Sequence, residues 1–337
     1  MKERNSVFEI LRIFSMYCIV LYHAAFHGPL STLTGMNVNH VLVQFYLVGG
    51  KLGVNLFILL TGYFLINSSV KVNKLKKLWV QVFTYSASIL IIAILVNIKN
   101  VHIVPFIRSV FPITFSEYWF ITGYFMLYLL APFLNKFIKN LSISELYKLI
   151  LILIVFLSIY PSVFRNSIAV SKLGWFILLY VIAATLRLHG IPNVLIGKKR
   201  SLCFLTLAVV ATYGSVLVFD ILGERYSVFA KKALHFAGSY SIFLLALSVA
   251  IFIIFIQLTP FVNMHINIFA SLVFGVYLIH DNEFVRPLLW HNIIPEISLY
   301  RSNFFVIEFP IIIFLLFFLL AGIEWIRQKI MAFLFKK

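Results

Sequence analysis

Apolar runs of about twenty residues recur along the chain between short polar stretches, and the pattern predicts about ten membrane-crossing helices. They cover residues 7 to 27, 41 to 66, 78 to 98, 118 to 135, 147 to 164, 173 to 189, 202 to 222, 238 to 259, 266 to 281 and 303 to 323. Polarity does not alternate every second residue within them, so helices are expected rather than the strands of an outer-membrane barrel. No insertion between them is long enough for a separate soluble domain. Residues 1–337 therefore read as one all-α, polytopic integral membrane domain. Residues 324–337 are a basic, aromatic-rich tail, expected to lie in the cytoplasmic interface.

Composition agrees: 62% of residues are hydrophobic and 12% charged, with a mean hydropathy of +1.02, which excludes an ordinary soluble protein. The net charge of +17 would suit nucleic acid, but Lys and Arg are sorted by loop and concentrate in alternate segments. That is the positive-inside pattern. It places both termini in the cytoplasm and makes anionic membrane lipid or an anionic substrate, not nucleic acid, the expected partner of clusters such as Lys198, Lys199 and Arg200. Cys18 and Cys203 fall within predicted spans, so no disulfide framework is expected. Lys2 and Arg4 ahead of an apolar run imitate a signal sequence. Glu9 and Arg12 interrupt that run and the following residues form a poor cleavage site, so the first helix is expected to be retained.

Ionisable residues in a spanning helix cost a few kcal/mol each and normally face a bundle interior or a wet cavity. The first helix carries Glu9, Arg12 and His23. At about 100° per residue, the eleven residues from Arg12 to His23 make three turns plus roughly 20°, so both share a face, roughly 16 Å apart along the axis. Glu9, three residues before Arg12, can pair with it. An ion pair with a snorkelling arginine is the structural reading. A histidine able to move protons near neutral pH is the chemical one.

Elsewhere the signals are sparser. Gly49, Gly50, Gly53 and Gly62 of the second span suit close helix packing, and Lys51 and Asn55 share a face four residues apart. Lys51 should reach an interface or line a cavity. The segment Lys71–Lys77 is expected as a cytoplasmic loop, where Lys74 and Lys77 either are merely solvated or converge on an anion. Tyr118, Trp119 and Phe120 open the fourth span as an aromatic belt. Tyr277 and His280 share a face at the level of His23, with an interface or capping role for His280 weighed against catalysis. Asp220 is the one further acid within a span core. No P-loop, no nucleophile elbow and no His/Cys set with zinc-like spacing is read, so no metal is expected.

In this order, these stretches resemble the membrane-bound acyltransferase 3 family over nearly the whole chain. Glu9, Arg12 and His23 match its acidic-x-x-Arg and Arg-x10-His pattern. Gly50, Gly53, Val54, Phe57 and Thr61-Gly62-Tyr63 match its second helix, Tyr118-Trp119-Phe120 with Tyr128 and Pro132 its aromatic opening, and Phe274 to His280 its late Phe-Gly-x-Tyr-Leu-x-His run. Asn55, Thr61, Lys74 and Lys77 depart from the Asp, Ser and Arg-x-x-Arg that the family often has. The resemblance implies a multi-pass O-acetyltransferase of the bacterial cytoplasmic membrane, with acetyl-CoA as cytoplasmic donor and an extracytoplasmic glycan hydroxyl as acceptor. It implies donor contacts at Arg12, Lys74, Lys77 and Lys51, catalysis by His23 with Arg12 and Glu9, and acceptor-side contacts at Trp119, Tyr277 and His280. His23 acts either as general base or through an acetyl-histidine. The chain ends without the esterase-like domain that some members append, so transfer is expected to be completed within the membrane domain. A transporter or flippase for a lipid-linked sugar is the rival reading, though no paired inverted halves are evident. Oligomeric state and the acceptor's identity are not legible.

Overall fold

The computed structural model describes residues 4–33, 37–69, 71–96, 102–164, 171–229 and 232–334. Lys2 and the end of the expected tail, 335–337, lie outside them. The helices are α1 (Ser6–His27), α2 (Val38–Leu65), α3 (Val72–Leu95), α4 (Ile103–Val110), α5 (Trp119–Lys139), α6 (Ile143–Ile154), α7 (Tyr160–Phe164) and α8 (Lys172–His189). They continue with α9 (Lys198–Arg225), α10 (Ile242–Gln257), α11 (Met264–His280), α12 (Val285–Pro287), α13 (Glu296–Tyr300) and α14 (Phe305–Leu334). No strand occurs among the described residues, and the chain is an all-α polytopic membrane protein.

Each of the ten expected segments is helical over most of its described residues, though 97 and 98 of the third lie outside them, and not each is a full crossing. Among the described residues, eight helical segments are long and apolar enough to span, one of them α6 continued through Val155–Ile159 into α7, and α11 with Val285–Ile293 makes a pair bent by 92° that would be a ninth. Helix α10 has 16 residues, about 24 Å at 1.5 Å per residue and short of a 30 Å core. Two further expectations are corrected. Lys74 and Lys77 are not in a loop, because α3 already begins at Val72. The tail does not begin at Glu324 either: α14 runs on to Leu334, and Glu324 is fully buried.

The chain divides into two compact units. The first comprises Met1–Gly50, Val72–Thr122 and Phe261–Lys337. Asn5 caps α1 by accepting from the Val7 N–H (3.1 Å), and Glu9 in the first turn lies where the helix dipole favours an acid. Asn263 caps α11 through the Ile266 N–H (3.1 Å). These two N-termini are tied together: the Ser6 N–H donates to the Phe261 carbonyl (2.8 Å) and Ser6 Oγ to Asn267 Oδ1 (2.9 Å). Small residues set the contact of α2 with α1, with Gly49 against Cys18 and Gly50 against the Tyr22 ring. Glu324 of α14 rests on Gly275 of α11. Its carboxylate accepts from Arg327 Nε and Nη2 (both 2.7 Å), Gln328 Nε2 (2.8 Å), Gln81 Nε2 (3.2 Å) and the Tyr85 hydroxyl. An acid can be buried here because every lone pair finds a donor.

The second unit comprises Lys51–Lys71 and Gly123–Pro260. Helices α2 and α8 meet at Gly62, where an added Cβ would lie 2.8 Å from the Tyr180 carbonyl oxygen. Asn55, expected beside a functional lysine, is instead a packing residue. Its Oδ1 accepts from Trp175 Nε1 (2.9 Å) and its Nδ2 donates to Ser248 Oγ (3.0 Å), which itself donates to the Leu244 carbonyl (2.7 Å). Asn55→Leu strands the buried Trp175 N–H, at a cost of about 1–3 kcal/mol. We expect a lower melting temperature in detergent; an unchanged one would show that the indole finds another acceptor. Tyr128 accepts from the Lys71 N–H (3.3 Å), so this member of the aromatic opening holds the chain between α2 and α3.

Candidate active site

Helices α1, α3 and α11 of the first unit run in the same direction. The Ser6 bonds tie the starts of α1 and α11, while Leu90 and Ala93 in the last turns of α3 cluster with Phe284, just past the end of α11. Lys74 and Lys77 therefore lie toward the N-terminal end of α1, the end that carries Glu9 and Arg12.

At that end, Glu9 is buried and pairs with Arg12. Arg12 keeps 29% of its side chain exposed, as an arginine does when its head reaches toward water. Lys74 and Lys77 are exposed, one turn apart on α3, and Lys51 of α2 is half-buried.

The other end of α1 gathers buried titratable side chains. His23, buried, places Nδ1 2.9 Å from Nε2 of His280 at the end of α11. His280 Nδ1 lies 2.7 Å from the Val276 carbonyl. A carbonyl can only accept, so His280 carries its proton on Nδ1 and its Nε2 accepts. The proton between the rings then belongs to His23 Nδ1, and His23 Nε2 keeps a free lone pair. The bond to His280 thus sets the tautomer of His23.

Asp281 follows directly, its Oδ1 3.7 Å from His23 Nδ1, 3.8 Å from His27 Nε2 and 3.5 Å from Arg286 Nε. Arg286 also donates to the Asp281 carbonyl (2.9 Å). Beside this lies a second buried network. Asn282 Nδ2 donates to Glu117 Oε1 (2.7 Å) and to the Tyr118 hydroxyl (3.0 Å), which donates to the Leu278 carbonyl (3.0 Å). Ser86 of α3 donates to the other Glu117 oxygen. Burial pushes the Glu117 carboxyl up to about 7, against the opposing pull of the Ser86 hydrogen bond. Tyr277 packs edge to face on His280, with ring centres 5.9 Å apart, and on Phe120. Trp119, half-buried at the start of α5, has its ring edge-on to Phe120.

Of the residues singled out in the sequence, the fold brings His23, His280 and Tyr277 together, and pairs Glu9 with Arg12. Among the described residues no bond joins Lys74 or Lys77 to either group, and Lys51 belongs to the second unit. Missed were Asp281, Asn282, Glu117 and His27. For His27 a signal was present: His23 and His27 stand four apart on one helix, a ligand-like spacing, and Asp281 completes a three-residue group whose ligand atoms all lie within 4.8 Å of one another.

No curated protein and no solved structure matches the chain. The family model described as an acyltransferase domain, that of acyltransferase 3, matches residues 5–326, nearly the whole length, and the chain belongs to this family of membrane acyltransferases.

Proposed function

We propose that the protein moves an acetyl group from acetyl-CoA, bound on the cytoplasmic side, to a hydroxyl of an extracytoplasmic glycan. One observation carries the reading: the Val276–His280–His23 chain of hydrogen bonds leaves a lone pair on Nε2 of a buried histidine. That is the form a general base must have. With the N-terminus inside, as the distribution of Lys and Arg favours, His23 lies toward the outer face and Arg12, Lys74 and Lys77 toward the cytoplasm.

The donor brings a thioester, whose carbonyl is the group attacked. Exposed cations at Arg12, Lys74 and Lys77 suit its phosphates, with Lys as point charges rather than bidentate forks. His23 Nε2 takes the proton of the acceptor hydroxyl as that oxygen attacks the thioester carbonyl, and the resulting imidazolium is stabilised by Asp281 nearby. The C–S bond then breaks, the ester is released, and the CoA sulfur leaves with the proton that His23 gives back. His280 is a positioning residue. Trp119, half-buried, supplies aromatic surface of the kind that stacks on sugar rings, and Tyr277, buried, backs His280 from within.

The test is a comparison of purified surface glycans from cells with and without the gene: loss of an acetyl-unit mass difference is expected. Identical glycans, together with movement of a lipid-linked sugar in proteoliposomes, would favour the flippase reading. For Arg12→Ala we expect an apparent KM for acetyl-CoA raised about tenfold, matching loss of one charge-assisted contact, with kcat little changed. An unchanged KM would restrict Arg12 to its pairing with Glu9.

A further inference from the structure

His23, His27 and Asp281 make a second arrangement, of which acyl transfer uses His23 and Asp281 but not His27. We propose that they form a binding site for a divalent transition-metal ion of the zinc class, and that the bound ion switches acyl transfer off.

The donor set is two imidazoles and a carboxylate, and imidazole is the ligand that zinc and copper share. His23 and His27 are one helical turn apart on α1, and their Nδ1 and Nε2 atoms lie 3.7 and 3.8 Å from the same Asp281 oxygen. Metal bonds of about 2.0–2.1 Å place tetrahedral ligand atoms about 3.3 Å apart. The two histidine–carboxylate separations therefore close on an ion by about half an ångström each, while the two imidazole nitrogens, within 4.8 Å of one another, close by up to about 1.5 Å. A fourth donor stands ready. His280 Nε2 is 2.9 Å from His23 Nδ1, with its lone pair held outward by the Val276 bond, and a far ring nitrogen bonded to a backbone carbonyl is what orients metal-bound histidines. Access is through His27, whose side chain is 22% exposed, against 7% and 6% for the others. Arg286 opposes a second cation, but its firmer bond is to the Asp281 backbone carbonyl, which an ion on the carboxylate leaves intact.

Inhibition follows from the tautomer. Ligation through Nδ1 moves the His23 proton to Nε2, the atom that must be bare to accept the acceptor's proton. Metal and catalysis thus exclude each other without competing for the same nitrogen. The inhibitory half of the proposal rests on the acyl-transfer reading above; the binding half does not.

The experiment titrates full-length protein in detergent with Zn2+ against a chromophoric chelator, with Mg2+ as control. We expect one Zn2+ per chain, with affinity weakened by at least about tenfold in His27→Ala and in Asp281→Asn, and a Zn2+-dependent rise in melting temperature lost in both. His27→Gln serves where the alanine variant folds poorly. Wild type that binds Zn2+ no tighter than these variants would overturn the site. In the glycan assay Zn2+ should inhibit wild type, while His27→Ala keeps its basal transfer and resists the metal. Binding without inhibition would overturn the switch and leave the site standing; a chain that binds Zn2+ but never acylates would instead remove the acyl-transfer reading.

Discussion

His23→Ala is expected to lower acyl transfer by about 10²–10⁴-fold, the usual contribution of a positioned general base, with the protein still inserted and folded. The side chain lost is a buried ring whose one mapped hydrogen bond is to His280, so the structural cost is a small cavity and one unsatisfied nitrogen. His280→Ala should act through the same nitrogen more weakly. Nothing then fixes the His23 proton on Nδ1, and kcat falls while KM for either substrate holds. His280→Gln keeps an acceptor on the side chain and should recover part of the loss, which a purely structural role would not predict. Near wild-type glycan acetylation by His23→Ala would remove His23 from the chemistry. Equal losses in the two His280 variants would reduce that residue to packing.

The second large effect is one of pH on stability, through Glu117. Its carboxyl is shifted from an ordinary 4.5 to about 7 by burial, so the fold prefers the protonated form. The associated stability is fully present below about pH 4.5 and is lost as pH rises through about 7. At about 1.4 kcal/mol per pH unit the loss approaches about 3 kcal/mol. Glu117→Gln holds the site neutral throughout: the amide oxygen can still accept from Asn282, and the amide N–H can donate to a rotated Ser86 hydroxyl. Relative to wild type, the variant should be no more stable at pH 4.5 and about 5 °C higher in melting temperature at pH 8. Melting curves that run parallel across this range would show that Glu117 ionises freely in the folded protein.

How much of this was written openly in the chain differs from residue to residue. Glu9, Arg12 and His23 were conspicuous because lipid makes any ionisable group in a spanning run expensive. Tyr277 and His280 showed their common face by spacing alone. The partnership of His23 with His280 was beyond local reading, since the two are separated by 257 positions. Asp281, Asn282 and Glu117 were hidden for the same reason: each looks like an ordinary polar residue at a helix end until long-range packing brings its partners. Glu324 misled in the opposite direction. A charge after a long apolar run reads as the end of a span, yet five donors from α3 and α14 let the helix continue past it. The lysines at 51, 74 and 77 were noticed for their charge, and charge alone does not say what they hold.

Gly275 stands where Glu324 crosses α11, and that contact carries a cost for any other residue type. The carboxylate is fastened by two nitrogens of Arg327, by Gln328, by Gln81 and by Tyr85, so it has no freedom to retreat before even a methyl group. Alanine at 275 would force the protein to give up either the seating of its C-terminal helix or the hydrogen bonds that neutralise its deepest acid. The glycine that precedes Tyr277 and His280 in the chain is thus a clearance for a neighbour's side chain, about one and a half turns ahead of His280.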